Sequence, residues 1–164
     1  MTQAVEDGRR LVELLRGNED IASHADGCGA GMIAAAEQDM GVGFPPSYRR
    51  LIEEFGTWDI AGQEFLGVYQ TAAMGSSLLG SVAETLDARG QYGLPSELIV
   101  VMFDGMGGLI VLDSAESDGD GEYPVLVWDP GSAHRGSADR LGENFGSFAL
   151  ARCQRAVANW RSEG

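Results

Sequence analysis

The segment Met32–Phe55, MIAAAEQDMGVGFPPSYRRLIEEF, constrains the fold more than any other part of the chain. Ile33, Ala36, Glu37 and Met40 recur at helical spacing, and Gly41 offers the left-handed stop conformation. Pro45 and Pro46 then forbid continuation. Beyond them Tyr48, Leu51, Ile52 and Phe55 fall at i, i+3, i+4 and i+7, an apolar stripe for a core, with Arg49, Arg50, Glu53 and Glu54 opposite. Gly56 is expected to end this second helix. The segment therefore reads as a packed helical hairpin. Glu37, on the apolar stripe, is expected as a partly buried carboxylate held by a backbone group or an arginine.

Around the hairpin the pattern changes twice. Residues 5–16 predict a short N-terminal helix carrying Val5, Leu11, Val12, Leu14 and Leu15, and the polar, glycine-rich stretch Asn18–Gly31 reads as a mobile connection. Glu64–Tyr69 reads as a strand and Ser81–Arg89 as a short helix. Leu98–Phe103 (LIVVMF) is an apolar run of strand length, bounded by Pro95 and by the turn DGMGG. Leu109–Asp113 pairs with it as a hairpin, and Val125–Asp129 makes a third strand. Connections this short make the meander antiparallel. A last helix runs over 147–160, with Leu150, Cys153, Val157 and Trp160 on one face. The chain of 164 residues suits one domain, with no internal repeat.

Charge narrows the function classes. The chain carries 25 acidic and 11 basic residues, a net charge of −14, and all the basic residues are arginine. Without lysine, neither a P-loop phosphate cradle nor a Schiff-base lysine can form. Phosphate contacts need clustered cations, so nucleic acid is disfavoured as a partner. An anionic membrane surface would repel the chain, and no apolar run approaches the ~18 residues of a spanning helix. The N-terminus lacks the basic-then-apolar layout of a signal peptide, so a cytoplasmic protein with reduced cysteines is expected. A basic protein partner would be attracted.

The chain also carries a resemblance. A-E-x-x-M-G-x-x-x-P-x-x-Y at Ala36–Tyr48 with Gly56, then LPSELIVVMFDGMGGLIVLD, then PVLVWD and GSFALA, is similar in order to the SUKH superfamily, which includes a fungal cell-wall-synthesis regulator and many bacterial toxin-immunity proteins. Glu37, Gly41, Pro45, Tyr48 and Gly56 match the first motif; Gly105, Gly107, Asp113, Val125, Trp128, Ser147 and Phe148 match the later ones. Gly108 departs from the Asp or Asn often found there, and residues 1–29 lie outside the match. The resemblance implies an α+β class: a single SUKH-like domain over 30–160 with helices packed on one antiparallel β-sheet, preceded by the N-terminal helix and connection of 1–29. It also implies a non-enzymatic binding protein, an immunity protein that neutralises a toxin. Many such toxins are nucleases, whose basic clefts a carboxylate-rich surface can fill by imitating phosphates. The alternative it implies is a regulatory or scaffold domain bound to an endogenous protein.

Candidate sites follow from charge and exposure. The loop Asp113–Glu122 (DSAESDGDGE) holds five carboxylates, and no Lys, Arg or His occurs from Gln91 to Pro130. Glu116, Asp118, Asp120 and Gly121 imitate the start of a calcium loop, but the twelfth position is Val127 and strands flank it, so no metal is expected. Solvated loop and contact surface for a basic partner remain as readings. Trp58, following Gly56-Thr57 in a segment read as loop, is expected at the surface as an interface anchor beside Asp59 and Glu64. The expected partner surface is Trp58, Asp59, Glu64, Asp104, Glu116, Asp118, Asp120 and Glu122. Trp128, between apolar strand residues, is expected buried. His24 with Cys28, and His134 near Asp129 and Asp139, lack the rigid support that a nucleophile or zinc site needs, so neither catalytic residues nor a cofactor are expected.

Overall fold

The structure, a computed structural model, describes residues 1–131 and 139–163. Helix α1 (Gln3–Arg16) is capped by Thr2, whose Oγ1 accepts the Val5 N–H at 3.2 Å. It buries Leu11, Val12 and Leu15 against α3 (Pro46–Glu54) and α5 (Phe145–Glu163). Between them α2 (Ala30–Met40) ends at Gly41, which takes the left-handed conformation (φ 72°) expected from the sequence. Ile33, Ala36 and Met40 face the core. Helix α4 (Ser81–Tyr92) packs through Ala88 on Val100, Val111 and Trp128.

The strands are all antiparallel, which with the helices makes the α+β class expected, but among the described residues they form three sheets instead of one. The first is β1 (Ala22–Asp26), β2 (Phe55–Ile60) and β3 (Gln63–Phe65); the second pairs β4 (Val68–Tyr69) with β5 (Leu79–Gly80). The third is the meander β6 (Leu98–Phe103), β7 (Leu109–Asp113), β8 (Val125–Trp128) and β9 (Asp139–Gly142). Leu66 N–H, just after β3, donates to Val101 O of β6 at 2.8 Å, and Ser81 N–H donates to Gly67 O at 2.7 Å, carrying the β4–β5 pairing one residue further. The break falls at Leu66-Gly67, so the expected strand over 64–69 is divided between β3 and β4.

Strands β6 and β7 read as unbroken apolar runs because both faces are covered. Ile99, Val101, Met102, Ile110 and Leu112 belong to the main core, while Val100, Val111 and Trp128 pack with Ala88 and Leu94 in a second cluster. Trp128 is thus buried as expected.

Four expectations change. Asn18–Gly31 contains β1, not only a connection, because the ladder partner β2 begins directly after α3. Phe55 leaves the helix for that strand, and Gly56 lies within it: a Cβ at Gly56 would stand 2.5 Å from Asp26 O, so glycine allows the β1–β2 approach instead of stopping a helix. Trp160 is half-exposed at the far end of α5 and takes no part in the stripe of Leu150 and Cys153. Trp58 lies in β2 and is 2% exposed, stacked on Phe65 at 5.4 Å and edge-on to Phe145 at 6.2 Å. It is a core residue, because the β2 alternation turns it inward between the exposed-side residues Thr57 and Asp59.

Candidate functional site

Hairpin β6–β7 and its two flanking loops position most of the carboxylates singled out above. At its tip, Gly105 (φ 82°) and Gly107 (φ 91°) reverse the chain. Asp104 closes that turn: its Oδ1 accepts Met106 N–H at 2.6 Å and Gly108 N–H at 2.8 Å. At the opposite end, Asp113 caps the short 3-10 turn Ser114–Glu116, and Asp118 Oδ1 gathers the N–H groups of Asp120 (2.8 Å) and Glu122 (3.0 Å). Glu116, Asp118 and Asp120 are exposed.

Glu122 is not. Only 1% exposed, it reaches under the loop to α3, where Oε2 accepts Ser47 N–H at 2.8 Å and Oε1 accepts the Ser47 hydroxyl at 2.7 Å. Ser47 Oγ in turn accepts Gly146 N–H at 3.0 Å, so one carboxylate ties the β7–β8 loop to the first turns of α3 and α5. Burial pushes the Glu122 carboxyl above its ordinary 4.5, against the two Ser47 bonds; Asp118 and Asp120 add to the rise. Its expected place on a partner surface is therefore corrected: it supports the loop from inside.

Asp59 and Glu64 face each other across β2 and β3 in register, and Asp59 Oδ2 accepts the Ser23 hydroxyl at 2.6 Å. They line a cavity of about 400 Å³ with His24. Glu64 also shares a cavity of about 290 Å³ with Asp104 and Arg152. The structure thus brings Asp59, Glu64 and Asp104 towards the hairpin tip. It leaves Glu116, Asp118 and Asp120 at the other end, about 17 Å away along strands rising ~3.3 Å per residue.

Several arginines are spent elsewhere. Arg9 pairs with Glu6 and Glu13, Arg16 with Glu54 at 2.8 Å, and Arg161 with Asp20 at 2.7 Å. Arg49 pairs with Glu37 at 2.6 Å, and Glu37 Oε2 also accepts Phe44 N–H at 2.7 Å, which is the structural role expected of it. Among the described residues Asp59, Glu64, Asp104, Glu116, Asp118 and Asp120 have no basic partner within ion-pair distance.

Cys28 is buried, donates its S–H to Val68 O at 2.9 Å and is pushed above its ordinary value by burial, the reverse of an activated thiol. His24 is exposed, its ring 4.2 Å from Phe55. His134 lies outside the described residues, and with it the reading that set it near Asp129 and Asp139. Among the described residues no three His, Cys, Asp or Glu side chains converge as metal ligands.

Sequence reasoning missed one feature. Glu84, Asp87, Ala88 and Tyr92 share a face of α4 and, with Phe103, Leu109 and the glycines of the β6–β7 turn, line a cavity of about 360 Å³. Their spacing of three, four and eight residues was visible, but Phe103 closes the apolar β6 run and reads as core.

The family model SUKH_5, described as SMI1-KNR4 cell-wall, matches residues 9–154. The chain belongs to the SUKH superfamily. The match begins inside α1, earlier than residue 30, where the sequence motifs start. Membership is compatible with immunity or regulatory roles exercised through protein–protein contact. Among curated proteins no match to the chain is found. No helix among the described residues is long and apolar enough to cross a membrane.

Proposed function

We propose that this SUKH domain is a non-enzymatic, cytoplasmic immunity protein that neutralises a cognate toxin by offering it unpaired carboxylates. The supporting observation is the division of charge: Arg9, Arg10, Arg16, Arg49 and Arg161 are held in ion pairs on the helices, while Asp59, Glu64, Asp104, Glu116, Asp118 and Asp120 have no basic partner within ion-pair distance among the described residues. A desolvated basic cleft, such as a nuclease's, would supply the missing counter-charges. A standard interface of about 800 Å² per partner, roughly 30 Å across, is wide enough to take in both ends of the β6–β7 hairpin. The loop end is the better anchor, because Arg152 already stands beside Glu64 and Asp104. The family description, which names the cell wall, supports the second reading, a regulatory domain bound to an endogenous protein.

The test is growth rescue. Toxin domains encoded beside the gene are expressed with and without the protein, and rescued pairs are co-purified. Rescue with a stable 1:1 complex, lost on reversing Glu116, Asp118 and Asp120 to lysine, supports the reading. Rescue unchanged by that reversal and by reversal of Asp59 and Glu64 removes the acidic contact. No rescue by any neighbouring toxin leaves the regulatory reading in its place.

A further inference from the structure

The cavity between α4 and the β6–β7 turn combines three properties. It carries two carboxylates, Glu84 and Asp87, one helical turn apart. Two aromatic rings stand half-open at it, Tyr92 at 51% and Phe103 at 50% exposure. Its buried members are Ala88, Gly108 and Leu109. Among the described residues neither carboxylate is in an ion pair; Asp87 only accepts the Gln91 amide at 3.1 Å. Partial burial, and after it the Asp87 charge, raises the Glu84 carboxyl; a cation entering here would offset the repulsion between the two carboxylates and favour their charged forms.

Aromatic faces beside uncompensated carboxylates favour a flat, weakly hydrated cation that can stack and hydrogen-bond together, which describes guanidinium better than ammonium. The surroundings favour a protein as its carrier. Met106, 89% exposed between the lining glycines Gly105 and Gly107, offers apolar contact at the rim, as around a buried interface anchor, and a net charge of −14 draws basic surfaces. We propose that this cavity receives an arginine side chain from the basic protein partner. The inference rests on the proposed function for the partner's identity, but the cavity's choice of arginine is testable without it.

The probe is N-acetyl-arginine methylamide, titrated into the labelled full chain, with the lysine and norleucine analogues alongside. Arginine should move the amide resonances of Glu84, Asp87, Tyr92, Phe103 and Gly107 with a Kd of about 1 mM, as befits so small a ligand. Lysine should bind more weakly, and norleucine should move none of these resonances. Glu84→Gln with Asp87→Asn, checked for an unchanged melting temperature, should abolish the response. No movement with arginine, or equal movement with norleucine, overturns the proposal. With a rescuing toxin in hand, the same double variant should weaken the complex about tenfold or more. Rescue and affinity left intact would overturn the cavity as contact while the immunity reading stands. An arginine response without rescue by any toxin would sustain the cavity and remove the immunity reading.

Discussion

Replacing Glu122 by alanine should destabilise the fold, although the residue sits in the most acidic loop of a chain with a net charge of −14. Its carboxylate accepts both the Ser47 N–H and the Ser47 hydroxyl at a site 1% exposed. Alanine leaves the N–H, one of the unpaired first-turn donors of α3, without its acceptor, and the hydroxyl without its own. A buried donor so stranded costs about 1–3 kcal/mol. Relief of the desolvated charge, visible in the raised Glu122 carboxyl, offsets part of the sum. The net loss should be about 2–4 kcal/mol, a large share of the ~5–15 kcal/mol typical of a domain. Urea unfolding followed by tryptophan fluorescence reads it directly. With m near 2 kcal/mol/M, the midpoint should fall by about 1–2 M with m unchanged. Glu116→Ala and Asp120→Ala remove the same charge from exposed positions of the loop and should stay within about 0.5 kcal/mol of the parent. If Glu122→Ala behaves like those two, the buried-tether reasoning is wrong.

Other expectations concern single atoms. Because the folded-state carboxyl of Glu122 titrates above its ordinary 4.5, its ionisation costs stability that is absent below that value and grows as pH rises through the folded value. Glu122→Gln should therefore gain on the parent in urea midpoint as pH is raised from about 4 to 7; a difference independent of pH would refute this. Gly146→Ala sets a Cβ 2.0 Å from Ala4 O between α5 and α1, and should cost about 3 kcal/mol or more in the same assay. Cys153, fully buried and pushed up to about 12, and Cys28, bonded to Val68 O, should resist a thiol reagent until the chain unfolds. Stoichiometric labelling of the native protein within minutes would contradict both placements.

Elements whose partners are close in sequence were the legible ones. The α2–α3 break shows in Gly41, Pro45 and Pro46, and the β6–β7 hairpin in an apolar run closed by a glycine turn. Strand β1 (ASHAD) was hidden because its residues are mostly polar and its burial does not alternate, so it is defined only by pairing with β2, some 30 residues on. Strand β2 was hidden by its start: it begins at the residue after α3 with no intervening turn, and Gly56 looked like the stop that the turn would have needed. The surface reading of Trp58 inherited that error, since a tryptophan in a loop and one on the inner side of a strand have the same neighbours in sequence.

The carboxylates show the same limit more sharply. Asp118, Asp120 and Glu122 alternate with glycine and look equivalent, yet Asp118 folds the loop, Asp120 faces water and Glu122 is consumed inside the protein. Net charge therefore overstates what is free to meet a partner. Glu37 and Glu122, on the hairpin stripe and in the acidic loop, are both committed to backbone N–H groups of the α2–α3 region. Conversely, Glu84 and Asp87, scattered in a helix of mixed composition, gain weight once the β6–β7 turn sets Phe103 beside them. A carboxylate here acts on a partner only if the fold leaves it exposed and without a basic partner, and that condition is decided by tertiary approach. Variants chosen from charge density alone would mix stability with binding; pairing each acidic substitution with an unfolding curve separates the two.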